Sequence, residues 1–172
     1  RFLLKFEPRK ILGKGTFGCV FEAQNKLDKW SYAVKRIAVR GSEDEVQRAL
    51  QEVCALASLK HEGIIGYNSC WMEKPPPGWQ KRTDAKLQNK LGLEESPQNY
   101  KNDCMFIYIQ MELCKQSLND WLYANKTREL AQAKSWFKQL VSAVGYLHQK
   151  NKIHRDLKPL NILFDMEGRI KI

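Results

Sequence analysis

The 172-residue chain contains no run of about 20 apolar residues, the length a helix needs to cross a bilayer, and no signal-like stretch opens it. Its five cysteines (Cys19, Cys54, Cys70, Cys104 and Cys114) show no Cys-x-x-Cys spacing. An odd number set among apolar neighbours argues against a disulfide framework or a zinc site, and for reduced thiols in the cytosol. Acidic residues are scarce: 19 Asp and Glu face 29 Lys and Arg, for a net charge of +10. That excess could attract nucleic acid, acidic protein or a membrane surface, but a solvated basic face is the commoner explanation. Three of the six prolines are crowded into one spot, at 75–77, which leaves the rest free for regular structure. What remains is ordinary for a globular chain, 43% hydrophobic and 28% charged, long enough for one domain or for one lobe and part of another.

The most informative run is His154-Arg155-Asp156-Leu157-Lys158-Pro159-Leu160-Asn161. A loop that offers a carboxylate, a lysine two residues on and a carboxamide five residues on can hold a hydroxyl, a phosphate and a metal together. Phosphoryl transfer needs that set: an Asp to accept the hydroxyl proton, an Asn to ligate Mg²⁺, and positive charge near the moving phosphate. Asp156, Asn161 and Lys158 fill these places.

Upstream, residues Phe6 to Ile37 alternate as antiparallel strands broken by Gly13-Lys14-Gly15-Thr16-Phe17-Gly18. Glycines let the backbone approach phosphates. A dinucleotide-binding fold requires a helix straight after them, yet Cys19 to Ala23 reads as a strand, and Tyr32 to Ile37 as another. This selects a kinase-type glycine loop, with Lys35 in its Ala-Val-Lys context holding the α- and β-phosphates. Ser42-Glu43-Asp44-Glu45 is a capping box, and Val46, Ala49, Leu50, Val53 and Leu56 continue at helical spacing. Glu52 borders that apolar stripe and is the expected partner that aims Lys35. A strand follows to Trp71.

From Glu73 to Asp103 the composition turns to Pro75-Pro76-Pro77-Gly78, many lysines and Glu94-Glu95-Ser96-Pro97, which reads as a mobile insert with little apolar surface to bury. Cys104 to Leu113 resumes as an apolar strand. Ser117 and Asp120 cap a short helix. A long helix is expected from about Glu129 to Gln149, with Leu130, Ala133, Phe137, Leu140, Val141, Val144, Leu147 and His148 on one stripe, and then a hairpin over 161–172.

With these parts in register the chain resembles a eukaryotic serine/threonine protein kinase domain, from its first strand to the strand before the metal-binding Asp-Phe-Gly. Within that group it is similar to the kinases of the alpha subunit of translation initiation factor 2. The stretches that carry this are Arg1 to Pro8, Glu52 to Ala57, Cys70-Trp71, Ile109 to Cys114, Ser117 to Trp121, and the insert itself. The resemblance implies an α+β, protein-kinase-like fold: an antiparallel β N-lobe with one regulatory helix over 1–113, with the insert at 73–103, then the first helical part of the C-lobe over 114–172, including the catalytic loop 154–161. It implies ATP and Mg²⁺ as cofactors. Gly13, Lys14, Gly15, Gly18 and Lys35 hold the phosphates, and Val20, Ala33 and Leu163 sandwich the adenine. Met111 stands as gatekeeper, and the backbones of Glu112 and Cys114 meet the adenine edge. Asp156, Lys158, Lys35 and Glu52 are the catalytic set, with Asn161 on the metal.

The implied substrate is the initiation factor subunit, phosphorylated under stress, in the cytoplasm or on the cytosolic face of a membrane protein. Two departures stand out. Members of that group pair through their N-lobes with an arginine at the position of Arg1 and an aspartate at that of Lys5, so a lysine there weakens a homodimer. The Asp-Phe-Gly and activation segment lie beyond Ile172, so the 172 residues alone are expected to be nearly inactive. An alternative is a truncated kinase relative that regulates by binding an intact kinase. A third reading, an RNA-binding module built on Lys81, Arg82, Lys86 and Lys90, has less support, and nucleic acid is not an expected partner.

Overall fold

A computed structural model describes residues 1–15, 18–39, 43–76, 78–91 and 104–172. The chain divides into two compact units, one of Arg1–Ala57 with Tyr67–Glu112, the other of Ser58–Gly66 with Leu113–Ile172. The expected division at 113/114 therefore differs at residues 58–66 and at Leu113, which group with the second unit. The reason is local. Ile64 is buried with Ala143 and Leu147, and Ile65 N donates to Ile172 O at 3.1 Å while Ile172 N donates to Gly63 O at 2.9 Å. Among the described residues no helix is long and apolar enough to cross a membrane.

The first unit is built on an antiparallel sheet of β1 (Phe6–Gly15), β2 (Gly18–Asn25), β3 (Ser31–Val39), β4 (Tyr67–Glu73) and β5 (Met105–Glu112). Its order is β1-β2-β3-β5-β4. Because side chains alternate, each strand feeds two cores. One face carries Ile37, Val39, Ile107 and Ile109 and is covered by helix α2 (Glu43–Ala57) through Ala49 and Val53. The acids Glu43, Asp44 and Glu45 fill the first turn of α2, where the helix dipole favours them. The expected cap Ser42 lies outside the described residues.

The opposite face is aromatic: Phe2, Phe6, Phe21, Trp71, Phe106 and Tyr108 are buried together. Trp71 stacks on Phe6 at 5.7 Å and on Tyr108 at 5.3 Å, and its Nε1 donates to Glu73 Oε1 at 2.6 Å. A four-residue helix, α1 (Phe2–Lys5), has no stability of its own, since isolated helices under about 12 residues are marginal. Burial of Phe2 against Tyr108, with ring centroids 5.0 Å apart, holds it, a contribution of about 1.5–3 kcal/mol.

The same face receives a helix that composition did not suggest. Residues Trp79–Leu91 form α3, with Thr83, Asp84 and Leu87 buried and Lys81, Arg82, Lys86 and Lys90 exposed. The mobile insert expected over 73–103 thus holds a docked helix over this part; residues 92–103 lie outside the described set. The apolar count was low because the buried stripe is completed by a charged residue, Asp84, which pairs with Arg36.

The second unit packs α4 (Leu118–Ala124) and α5 (Leu130–Gln149) on a small sheet of β6 (Gln116–Ser117), β7 (Leu163–Phe164) and β8 (Ile170–Lys171). Trp136 bridges Trp121 and Phe164 at centroid distances of 4.8 and 4.7 Å. The expected stripe of α5 is only partly used: Leu140, Val144 and Leu147 pack inward, while Leu130, Phe137 and Val141 are exposed.

Candidate active site

In the first unit, strand register decides which residues share a face. Val20 pairs with Lys35, Ala33 with Met111, and Gly13 with Val20, so Gly13, Val20, Ala33, Lys35 and Met111 lie on the face that α2 covers. The strands β1 and β2 are joined by the glycine-rich turn, closed by the Gly15–Gly18 pair. Its tip, Thr16-Phe17, lies outside the described residues, as does the side chain of Glu52, so the expected Lys35–Glu52 pair is not described.

The turn's glycines have different reasons to be glycine. Gly18 has φ +136°, and a Cβ built on it collides with the backbone carbonyl of Arg36 on β3. The strand pair itself therefore demands glycine there. A Cβ on Gly13 meets nothing within 4 Å. Packing makes no such demand at Gly13, which leaves room over that part of the turn.

In the second unit the loop after α5 is held by its own side chains. Arg155, with φ 66°, is a non-glycine residue in the left-handed region, a conformation that costs on the order of 1–3 kcal/mol and persists only when neighbours over-determine it. Here they do. Pro159 opens a 3-10 turn, Pro159–Asn161, that brings the Asn161 carboxamide back to Asp156. Nδ2 of Asn161 donates to Asp156 Oδ2 at 2.7 Å and to Asp156 O at 2.8 Å. Lys158 Nζ lies 2.9 Å from Asp156 Oδ1. The three residues picked out by spacing thus meet in one exposed loop.

The hydrogen bond from Lys158 is the main reason the Asp156 carboxyl lies below its usual value; burial opposes it, and the hydrogen bond from Asn161 adds a smaller lowering. At neutral pH it is a carboxylate beside an ammonium group. Such a cluster can orient a hydroxyl donor, attract a phosphate oxygen and offer oxygen to a hard cation. The donor set suits Mg²⁺, which takes one or two protein oxygens and completes its shell with phosphates and water. Asn161 Oδ1 accepts no hydrogen bond among the described residues, and no cluster of three or more His, Cys, Asp or Glu able to hold a metal occurs among them.

Leu163 lies on β7, half-buried, and Cys114 is half-buried just before β6. After β7 the hairpin is closed by Asp165, which accepts from the Glu167 amide at 3.0 Å, the Arg169 amide at 2.8 Å and Arg169 Nε at 2.7 Å. Spacing alone had not singled out Asp165.

Comparison with known proteins supplies the family. The family model described as the protein kinase domain matches residues 6–172. The chain belongs to that family. As a kinase domain, its first unit is the β-rich lobe with its regulatory helix, and its second is the start of the helical lobe. It is 39% identical over 175 residues to the interferon-induced, double-stranded RNA-activated protein kinase of Rattus norvegicus, covering all of this chain and 31% of that protein. It is 33% identical over 183 residues to the eIF-2-alpha kinase GCN2 of Arabidopsis thaliana, covering all of this chain and 15% of that protein. Over 84 residues it is 46% identical to the eukaryotic translation initiation factor 2-alpha kinase 3 of Bos taurus, covering 49% of the chain and 8% of that protein. The kinase domain here spans less than a third of the length of these relatives.

Proposed function

We propose that the protein transfers the γ-phosphoryl group of ATP to a serine or threonine hydroxyl, and that its substrate is the alpha subunit of translation initiation factor 2. The observation that carries the reading is the meeting of Asp156, Lys158 and Asn161 in one loop. Two of the relatives named above are described as kinases of that subunit. The run Leu157-Lys158-Pro159 favours serine/threonine over tyrosine.

In this reading Gly13, Lys14, Gly15, Gly18 and Lys35 hold the phosphates, and Glu52 aims Lys35. Val20, Ala33, Met111, Leu163 and the backbones of Glu112 and Cys114 take the adenine. Asp156 is the base. Its carboxylate, kept ionised by Lys158, accepts the hydrogen bond of the attacking hydroxyl and then its proton. Lys158 balances charge that builds on the transferring group, and acts most strongly where water is excluded. Mg²⁺, when bound, neutralises phosphate charge, and Asn161 is the residue here that would hold it. The reading places the protein in the cytosol or on the cytosolic face of a membrane.

The test is phosphate transfer from MgATP to the recombinant subunit by the full-length product that carries these residues. Asp156→Asn should reduce the rate about 10²-fold or more. Full activity in that variant would refute the assignment, and labelling of other serine/threonine proteins with none of the subunit would refute the substrate alone.

A second reading, regulation by pairing with another kinase through the β-rich lobe, has its own support. Leu4 on α1, and Leu27 and Trp30 in the β2–β3 turn, are 81%, 91% and 72% exposed. The turn is tied to α1 by Lys26 N donating to Lys5 O at 2.8 Å and by Lys26 Nζ donating to Leu3 O at 2.6 Å. Replacing Leu27 and Trp30 with serine should shift self-association in sedimentation; no shift would remove this reading.

A further inference from the structure

Arg36 and Asp84 are enclosed to 0% and 1% exposure, one on β3 and the other on the insert helix α3. Arg36 Nη1 reaches Asp84 Oδ1 at 2.8 Å and Nη2 reaches Oδ2 at 3.0 Å. The guanidinium lies over the rings of Phe21 on β2 and Phe106 on β5, 5.2 and 5.4 Å from their centroids. Tyr108 beside it has its hydroxyl pushed up by burial, with Arg36 opposing.

Such a pair is a poor way to gain stability alone, because stripping water from two charges cancels most of their attraction, and an apolar pair of equal volume holds a helix as well. What the pair adds is direction. A bidentate fork between two ring faces admits essentially one pose of the guanidinium.

Arg36 also sits where the parts of the phosphate-binding face join. It follows Lys35 in β3, and alternation sends the two side chains to opposite faces of the sheet. Its carbonyl oxygen fills the place where Gly18 has no room for a Cβ, at the end of the glycine-rich turn. At the other end of α3, Lys90 Nζ meets Glu7 Oε1 on β1 at 2.8 Å, and β1 is the strand that enters the same turn. A displacement of Arg36 therefore moves Lys35 and Gly18 together.

We propose that Asp84 is a positioning residue: by fixing Arg36 it sets the pose of Lys35 and of the turn ending at Gly18, so that the docked insert helix tunes the affinity for ATP. This rests on Lys35 being the phosphate-binding lysine. The route of action is through Arg36 and β3.

The test uses the full-length product and reads KM for ATP, kcat, the unfolding midpoint and amide exchange over residues 79–91. Asp84→Asn should raise KM for ATP on the order of tenfold, with a smaller change in kcat, and speed exchange in α3. The decisive variant is Arg36→Met combined with Asp84→Leu, which leaves no charge buried and folds even where Asp84→Asn does not. It should recover the midpoint and the exchange protection of α3 while KM for ATP stays raised about tenfold. If KM returns to within about twofold of the parent, the pair only holds the helix and the proposal falls. Lys35→Met separates the underlying reading: if it leaves KM and kcat unchanged, the ATP assignment fails and takes the proposal with it. If it abolishes transfer while the double variant behaves like the parent, only the role of Asp84 is lost.

Discussion

Gly13 and Gly18 allow the fold's need for glycine to be separated from the ligand's. Gly18→Ala places a Cβ at φ +136°, a region essentially reserved for glycine, at a cost of about 1–3 kcal/mol. The same Cβ meets the Arg36 carbonyl, so β2 must move away from β3 and weaken one or more ladder hydrogen bonds, each contributing about 0.5–1.5 kcal/mol. The expected total is a loss of about 2–4 kcal/mol in unfolding free energy. Gly13→Ala meets nothing within 4 Å and should leave stability unchanged or raise it by up to about 1 kcal/mol, because alanine restricts the unfolded chain. If Gly13 is glycine for the sake of phosphates, the second variant, and not the first alone, should weaken ATP binding. Urea unfolding followed by tryptophan fluorescence gives the first quantity, since Trp71 is buried, and titration with a fluorescent ATP analogue gives the second. A Gly18→Ala protein within about 0.5 kcal/mol of the parent would refute the close approach of β2 to β3. A Gly13→Ala protein with normal nucleotide affinity would refute the phosphate role of the turn.

Other substitutions test the rest of the fold. Ser117→Ala removes the capping box in which Ser117 Oγ accepts from the Asp120 amide at 3.1 Å and should cost about 0.5–2 kcal/mol by chemical denaturation. Asp84→Asn should cost about 3–5 kcal/mol, with most of it recovered when Arg36→Met and Asp84→Leu are combined, as read from the same curves. Burial alone raises the Asp165 carboxyl, but bonds from the Arg169 amide and guanidinium bring it below its ordinary 3.8. A carboxyl depressed on folding contributes stability that is full above that ordinary value and is lost as pH falls through the folded value. Acid titration of Asp165→Asn should accordingly show a shallower loss of stability below pH 3.8 than the parent, and an unchanged acid limb would argue against the hairpin clasp.

Much of the fold was legible because it follows from periodicity. The strand patterns of Cys19 to Ala23 and Tyr32 to Ile37 marked β2 and β3, the near-continuous apolar run Cys104 to Leu113 marked β5, and helical spacing behind Glu43 marked α2. The reciprocal bonds of Ser117 and Asp120, and the span of α5, also follow the local sequence. The meeting of Asp156 with Lys158 and Asn161 was legible from the spacing of one loop motif, whereas Val20, Ala33 and Met111 were expected at the site only through the kinase resemblance, and it is strand register that puts them on one face with Lys35. What sequence hid is what depends on distant partners. Helix α1 is shorter than one heptad and is helical because Phe2 finds Tyr108, more than a hundred positions away. Strand β6 is two residues long and exists because β7 pairs with it. In α3, an aspartate in the buried stripe looks like a reason against docking until its arginine is known.

The grouping of residues 58–66 with the later part of the chain has a practical corollary for dissection experiments. A cut after Glu112 would not release two self-sufficient modules, because the upstream piece carries off Ile64, Ile65 and Gly63, whose neighbours Ala143, Leu147 and Ile172 stay with the downstream piece. Splitting or swapping at that point should yield halves that are sticky when apart and regain solubility when mixed, so exchange between relatives calls for transplanting the nine-residue segment along with the helical part.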